Sequence, residues 1–172
     1  LLKMLLTILV LAGALNWGSI GVFGVNPVQS LLGERPATIV YVLVGLSGLM
    51  LAFHRDTYLP FLGKAAFPCG SLAEKVPEKA DTTVQVHVKP SSNVVFWAAE
   101  PSDKVIDNPL LAYDRWANSG VTRSDEAGVA TLHVRRPGQY KVPPFGRTLP
   151  IHVHYRVCYR NGMLGAVKTV TV

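Results

Sequence analysis

A chain of 172 residues and 18.7 kDa with a formal net charge of +6 has room for one ordinary domain, or for a small domain beside a membrane segment; a large multidomain enzyme is excluded. Hydrophobic residues make up 49% and charged residues 16%, with mean hydropathy +0.27, which is too apolar for a disordered chain and short of charge for a soluble one. Two cysteines, Cys69 and Cys158, exclude a disulfide scaffold and a four-thiolate zinc site, and leave one bridge or two free thiols open.

No charged residue lies between Met4 and Gly33, or between Pro36 and Phe53. A helix needs about 20 apolar residues to cross a bilayer core, so residues 5–25 and 36–53 predict two transmembrane helices. A signal peptide would carry a shorter apolar region of about 7–15 residues and no second span so close behind it. Asn26 and Pro27 break the first helix, residues 28–32 predict a short interfacial helix closed by Gly33, and Pro36 suits the first turn of the second span. Glycines at 13, 18, 21, 24, 45 and 48 let two backbones approach. Asn16 is a polar amide in an apolar span and needs a partner, so Asn16, Trp17 and Gly18 are assigned to helix packing, with Asn16 and Trp17 facing the second helix.

The stretch Ala14-Leu15-Asn16-Trp17-Gly18, then Gly21-Val22-Phe23-Gly24, and after a short break the run from Ile39 to Leu49, resembles the small two-helix membrane family called YuzA-like. The resemblance covers about the first third of the chain and implies membrane residence without a reaction. Similar two-helix modules precede β-rich extensions in proteins of large DNA viruses, which brings a virion membrane protein among the candidates. Lys3 before the first span, Arg55 and Lys64 after the second, and only Glu34 and Arg35 between them favour both ends on the cytoplasmic side, with both cysteines reduced.

Beyond the anchor at 1–56, residues 57–81 mix Pro68, Gly70, Pro77 and charges without a period, and predict a linker. From Thr82 the pattern alternates, with Val84, Val86 and Val88 on one side and Gln85, His87 and Lys89 on the other. Further strands are expected at 94–98, 129–134, 139–142, 151–159 and 166–172, separated by turns at 90–93, 125–128, 136–138 and 161–162. Residues 82–172 therefore predict an all-β sandwich, soluble by itself, and the fold class is an α+β membrane protein.

Within that domain Gly128 to Val134, Arg136-Pro137-Gly138-Gln139-Tyr140 and Leu149 to Val157 are similar to the core of the intradiol ring-cleavage dioxygenases. The resemblance implies a ferric iron, Fe(III), held by Tyr140, His152, His154 and a second, upstream tyrosine. Residues i and i+2 of a strand share a face, so His152 and His154 can reach one metal. Residues 98–107, where the upstream tyrosine is expected, hold none; Tyr113 lies too far along, and Leu149 stands where the family has an arginine. On these departures the pair is read as retained without chemistry, with no cofactor.

The chain lacks HExxH, GxSxG, a phosphate-binding GxxxxGK[ST] and CxxC. After Glu126 come Arg135, Arg136, Lys141, Arg147, Arg156, Arg160 and Lys168 with no Asp or Glu, which predicts a basic face for lipid or protein but no sequence-specific nucleic-acid reader. The expectation is an integral membrane structural protein, a virion minor capsid protein joining an inner membrane to neighbouring capsid proteins, its partners being the bilayer and the shell. The β-domain is placed on the cytoplasm-equivalent side. The alternatives are a membrane-tethered non-haem iron dioxygenase acting on aromatic diols and a cellular membrane adaptor.

Overall fold

The computed structural model describes residues 1–143, 145–159 and 162–172, which form two compact units, Leu1–Pro60 and Phe61–Val172.

In the first unit α1 (Leu2–Phe23) and α3 (Glu34–Ala52) are long and apolar enough to cross a membrane, and α2 (Pro27–Leu32) lies between them. A short helix, α4 (Arg55–Tyr58), follows. Only 17% of each apolar window is buried within the chain. A Cβ added at Gly13 would meet Val44, one at Gly48 would touch Val10, and Lys3 pairs with Asp56 at 2.7 Å, so the two helices run antiparallel. Asn26 caps α2 by accepting from the Gln29 amide at 3.1 Å, and it accepts a second bond from the Tyr41 hydroxyl at 2.8 Å.

The packing residues differ in part from those expected. Asn16 is buried, but its side-chain oxygen accepts from the Val28 amide of α2 at 3.0 Å rather than from the second long helix. An orphan amide at the start of α2 is the nearer donor, since no residue of that helix can supply an intrahelical partner for it. Trp17 is 71% exposed, and an added Cβ at Gly18 would meet nothing within 4 Å, so Gly13 takes the close-approach role instead.

Among the described residues the second unit holds ten strands: β1 (Ala65–Ala66), β2 (Thr82–His87), β3 (Asn93–Ala98), β4 (Ser119–Arg123), β5 (Val129–Val134), β6 (Lys141–Val142), β7 (Arg147–Thr148), β8 (His152–Val157), β9 (Met163–Leu164) and β10 (Lys168–Thr171). A four-stranded sheet runs β10-β8-β3-β4, β2 pairs with β5, and all of these pairings are antiparallel. Alternation builds one core from both sheets: Val86, Ala130, Leu132 and Val134 from the β2–β5 pair meet Val94, Phe96, Val153, Tyr155 and Val157. The strands expected at 139–142, 151–159 and 166–172 are shorter than their apolar runs, and the turn expected at 161–162 falls partly on Asn161, outside the described residues.

Residues 61–81, expected as a linker, belong to this unit. Lys75 exchanges two backbone hydrogen bonds with Val121 of β4, each 2.9 Å, and β1 pairs with β9. Gly120 permits the approach, since a Cβ there would lie 2.3 Å from the Lys75 carbonyl oxygen. Arg156 is 9% exposed and donates to the carbonyls of Gly63 at 2.7 Å, Gly165 at 2.9 Å and Phe61. Burial lowers its pKa from the usual value, yet a guanidinium stays charged, and three carbonyl dipoles compensate it. Cys69 and Cys158 form a disulfide, which corrects the expectation of two reduced thiols. Two cysteines far apart in sequence carry no signal of their pairing; the chain between them must first fold back on β8.

Candidate functional site

His152 and His154 share one face of β8, while Val153, Tyr155 and Val157 point into the core. Tyr140 precedes β6 and is positioned by a parallel bridge to Ile106 and by the Leu149 amide, which donates to its carbonyl at 2.9 Å. The three residues converge: the Tyr140 hydroxyl lies 2.9 Å from His152 Nε2, which lies 3.2 Å from His154 Nε2.

A fourth side chain joins them. The Tyr113 hydroxyl sits 2.7 Å from that of Tyr140, so a second phenol reaches the group from a greater distance along the chain than the resemblance implies. Its placement comes from a short helix, α5 (Pro109–Tyr113), started by Asn108, whose side chain accepts from the Leu110 amide at 2.8 Å, and by Pro109 in the first turn. The Glu100 amide donates to the Ala112 carbonyl at 2.7 Å and fixes the helix against the end of β3. Asp114 and Trp116 then take positive φ values of 41° and 59°, backbone strain of the kind found beside functional sites. Fully buried Asn118 anchors the far end of this loop: its Nδ2 donates to the Ala99 and Arg135 carbonyls at 2.7 and 2.9 Å, and its Oδ1 accepts from the Arg135 amide at 2.8 Å.

The hydrogen bonds settle one tautomer. His152 Nδ1 lies 2.5 Å from the Pro150 carbonyl, which can only accept, so Nδ1 carries a proton, and in the neutral ring the Nε2 lone pair faces the tyrosines. His154 Nδ1 is held by the Thr169 hydroxyl at 2.8 Å. Such a support on the outer ring nitrogen is the usual companion of a metal-binding imidazole. Around the four, Trp97, Ile106, Val142 and Leu149 pack as partly buried hydrophobics, and Trp116 stacks on Tyr113 at 4.7 Å between centroids. Leu149, in place of the arginine the resemblance implies, forms part of this apolar wall.

Tyr113, Tyr140 and His152 are 6%, 4% and 5% exposed. Burial first, and then the hydrogen bond with Tyr140, push the Tyr113 phenol well above the usual range; burial also raises Tyr140, against a lowering from Tyr113. Unfolded tyrosines release their protons near pH 10 and the folded pair holds them longer. The resulting stability is fully present below about pH 10 and is lost as the pH rises from there through the folded pKa. Metal-free protein is therefore expected to lose urea resistance as pH climbs above about 10, and Tyr113→Phe to flatten that slope; urea unfolding on either side of pH 10 checks it, and equal slopes would count against the paired phenols.

Among the described residues no group of three His, Cys, Asp or Glu converges anywhere, so a metal at the histidines would need the phenols. The four donors follow one another at 2.7, 2.9 and 3.2 Å, and donors sharing one ion at bonds of about 2.0–2.1 Å stand roughly 3 Å apart, so each neighbouring pair has a spacing that one ion could bridge. Imidazole suits iron among other transition ions, and a bound cation reverses the protonation preference of the phenols.

The basic residues do not make one face. Arg135 pairs with Glu100 at 2.6 Å, Lys141 with Asp107 at 2.7 Å, and Arg156 is internal. Lys168 lies 6.0 Å from the Tyr155 ring centroid, Arg136 and Arg147 are exposed, and Arg160 falls outside the described residues. Strand alternation places their Cα atoms, but ion pairing and the covering segment 61–71 decide which charges reach solvent.

The family described as "Domain of unknown function (DUF378)" matches residues 1–54, the region of the two-helix resemblance. A comparison with curated proteins finds no match. The chain is similar in structure to intradiol dioxygenases. It is 18% identical to the 3-chlorocatechol 1,2-dioxygenase of Rhodococcus opacus, with a TM-score of 0.36 over 56% of this chain and 47% of that one. For the intradiol ring-cleavage dioxygenase of Tetranychus urticae the figures are 16%, 0.34, 58% and 56%. For the wild-type catechol 1,2-dioxygenase of Acinetobacter radioresistens they are 16%, 0.35, 81% and 73%. The chain thus spans about half the length of the first two.

Proposed function

We propose that the second unit is a β-sandwich carrying a non-haem ferric dioxygenase site that opens an aromatic diol, and that α1 and α3 are transmembrane anchors holding it at a bilayer. The observation that carries the reading is the convergence of two phenol oxygens and two imidazole nitrogens, from α5, the approach to β6, and β8, at contacts of 2.7 to 3.2 Å. When bound, ferric iron would supply the electron-deficient centre through which the diol ring becomes open to attack by oxygen. In the neutral ring His152 presents its Nε2 lone pair because Pro150 holds the other nitrogen, Thr169 orients His154, and Trp97, Trp116 and Leu149 place apolar surface beside the tyrosines. The reaction balances without a reductant: both atoms of O2 enter the diol, the bond between its two hydroxyl-bearing carbons breaks, and each of those carbons ends as a carboxyl group.

The apolar side chains that α1 and α3 turn outward, among them Leu11, Leu15, Ile39 and Leu46, support the membrane reading. The disulfide favours an oxidising compartment for the second unit, opposite to the side that three flanking basic residues against one had favoured. The virion scaffold and adaptor readings share this anchor; against the first of the two departures that favoured them, the missing upstream tyrosine, Tyr113 beside Tyr140 supports the ferric reading, while the second, Leu149 in place of an arginine, stands.

The test uses the full chain in neutral detergent, loaded with ferric iron. Retention of about one iron per chain, a visible phenolate-to-iron absorption band, and uptake of O2 equimolar with catechol are expected. Failure to hold iron, with no band, would remove the reading.

A further inference from the structure

Away from the tyrosines and histidines, the second unit carries a groove of about 900 Å³. Three cationic side chains from separate segments line it, Lys64, Lys89 and Arg123, and no carboxylate is among its described lining residues. The fold brings them together at one end of the sheet. Asn93 opens β3 opposite Arg123 at the end of β4, the Cys158 amide donates to the Asn93 carbonyl at 2.8 Å, and Lys89 begins the turn that links β2 to β3. The disulfide then fastens the 3-10 turn Cys69–Ser71 to the same place.

None of the three cations is ion-paired among the described residues; Lys64 lies 5.8 Å from the Tyr159 ring centroid. Asp125 stands nearby, its carboxylate accepting from the Val129 amide at 2.7 Å, and it forms no ion pair with the three cations among the described residues. Like charges around a concavity repel unless an anion sits between them, and a concave wall concentrates their field. Ser91, Ser92 and Asn93 add hydroxyl and amide groups to the lining, able to donate to an anion's oxygens. Arg123 offers a planar fork and the lysines compact point charges, a set matched to a multiply charged tetrahedral oxyanion.

We propose that this groove binds a phosphate group, as a free phosphate compound or as the headgroup of an anionic phospholipid. The site is independent of the ferric reading and shares no residue with it. The test is calorimetric titration of the full chain in neutral detergent with inorganic phosphate and, separately, with dihexanoyl phosphatidylglycerol. Saturable binding of at least one is expected, weakened at least about tenfold in the Lys89→Ala/Arg123→Ala double variant and unchanged in Lys168→Ala, which removes an equal type of charge outside the groove. Tighter binding of the lipid identifies the headgroup, and tighter binding of inorganic phosphate identifies the free compound. Absence of saturable binding to both, equal binding by a double variant with an unchanged unfolding temperature, or equal weakening by Lys168→Ala would each overturn the proposal.

Discussion

Tyr113→Phe is expected to weaken ferric iron binding by more than about 100-fold, to diminish and shift the phenolate-to-iron band, and to abolish measurable diol cleavage. Loss of groups that merely support a ligand costs about 10- to 100-fold, and loss of a ligand should exceed that. The substitution keeps the ring, and with it the stacking on Trp116 and the edge contact with Tyr140, and removes a single oxygen. Tyr140 retains its bond to His152, so no buried hydroxyl is orphaned and the metal-free fold should lose only about 1 kcal/mol. Iron analysis, absorption spectroscopy and urea unfolding on one preparation separate the outcomes. Tyr155→Phe is the control, because that ring lies in the core on the opposite face of β8. Iron content and absorption equal to the parent would show that Tyr113 is a packing residue and that the ligand set stops at three.

Replacing both Cys69 and Cys158 by serine should cost about 2–5 kcal/mol of unfolding free energy. The bridge closes a loop across a separation of 89 residues, long enough for a large restriction of the unfolded chain. Chemical unfolding of the full chain with and without dithiothreitol checks it: the double variant and the reduced parent should share a lowered midpoint, and reductant should leave the variant unmoved. A reduced parent that unfolds at the same denaturant concentration as the oxidised one would mean that the surrounding hydrogen bonds already hold the segment in place.

The long helices were legible because charge is absent over whole spans, and the break at Asn26-Pro27 because an amide cap and a missing N–H act locally. Strands β2, β3, β5 and β8 were legible for a similar reason, since burial on one face leaves a period of two. Strand β4 was not, because Gly120 replaces an apolar residue where the Lys75 backbone comes close. Three of the four clustered side chains could be read, His152, His154 and Tyr140, whose spacing is fixed by one strand and its approach. Tyr113 could not, since its position depends on a five-residue helix, two positive φ angles and the buried amide of Asn118, all of which are decided by tertiary contacts. Arg156 reads as a surface residue from alternation alone, and becomes internal only when residues 61–63 and 165 fold over that face of β8.

The pairing of Lys75 with Val121 also bears on self-association. The outer side of β4 would otherwise offer a row of unpaired amides and carbonyls, and open strand edges recruit strands from neighbouring molecules. The segment just behind the two long apolar helices supplies its own cover for that margin. A chain cut back to residue 82, where the alternation begins, loses the cover, the disulfide partner and two carbonyls that hold Arg156 in a single stroke, and leaves a sticky seam in its place. The working boundary of the folded unit therefore lies at Phe61, some twenty residues ahead of its first regular strand.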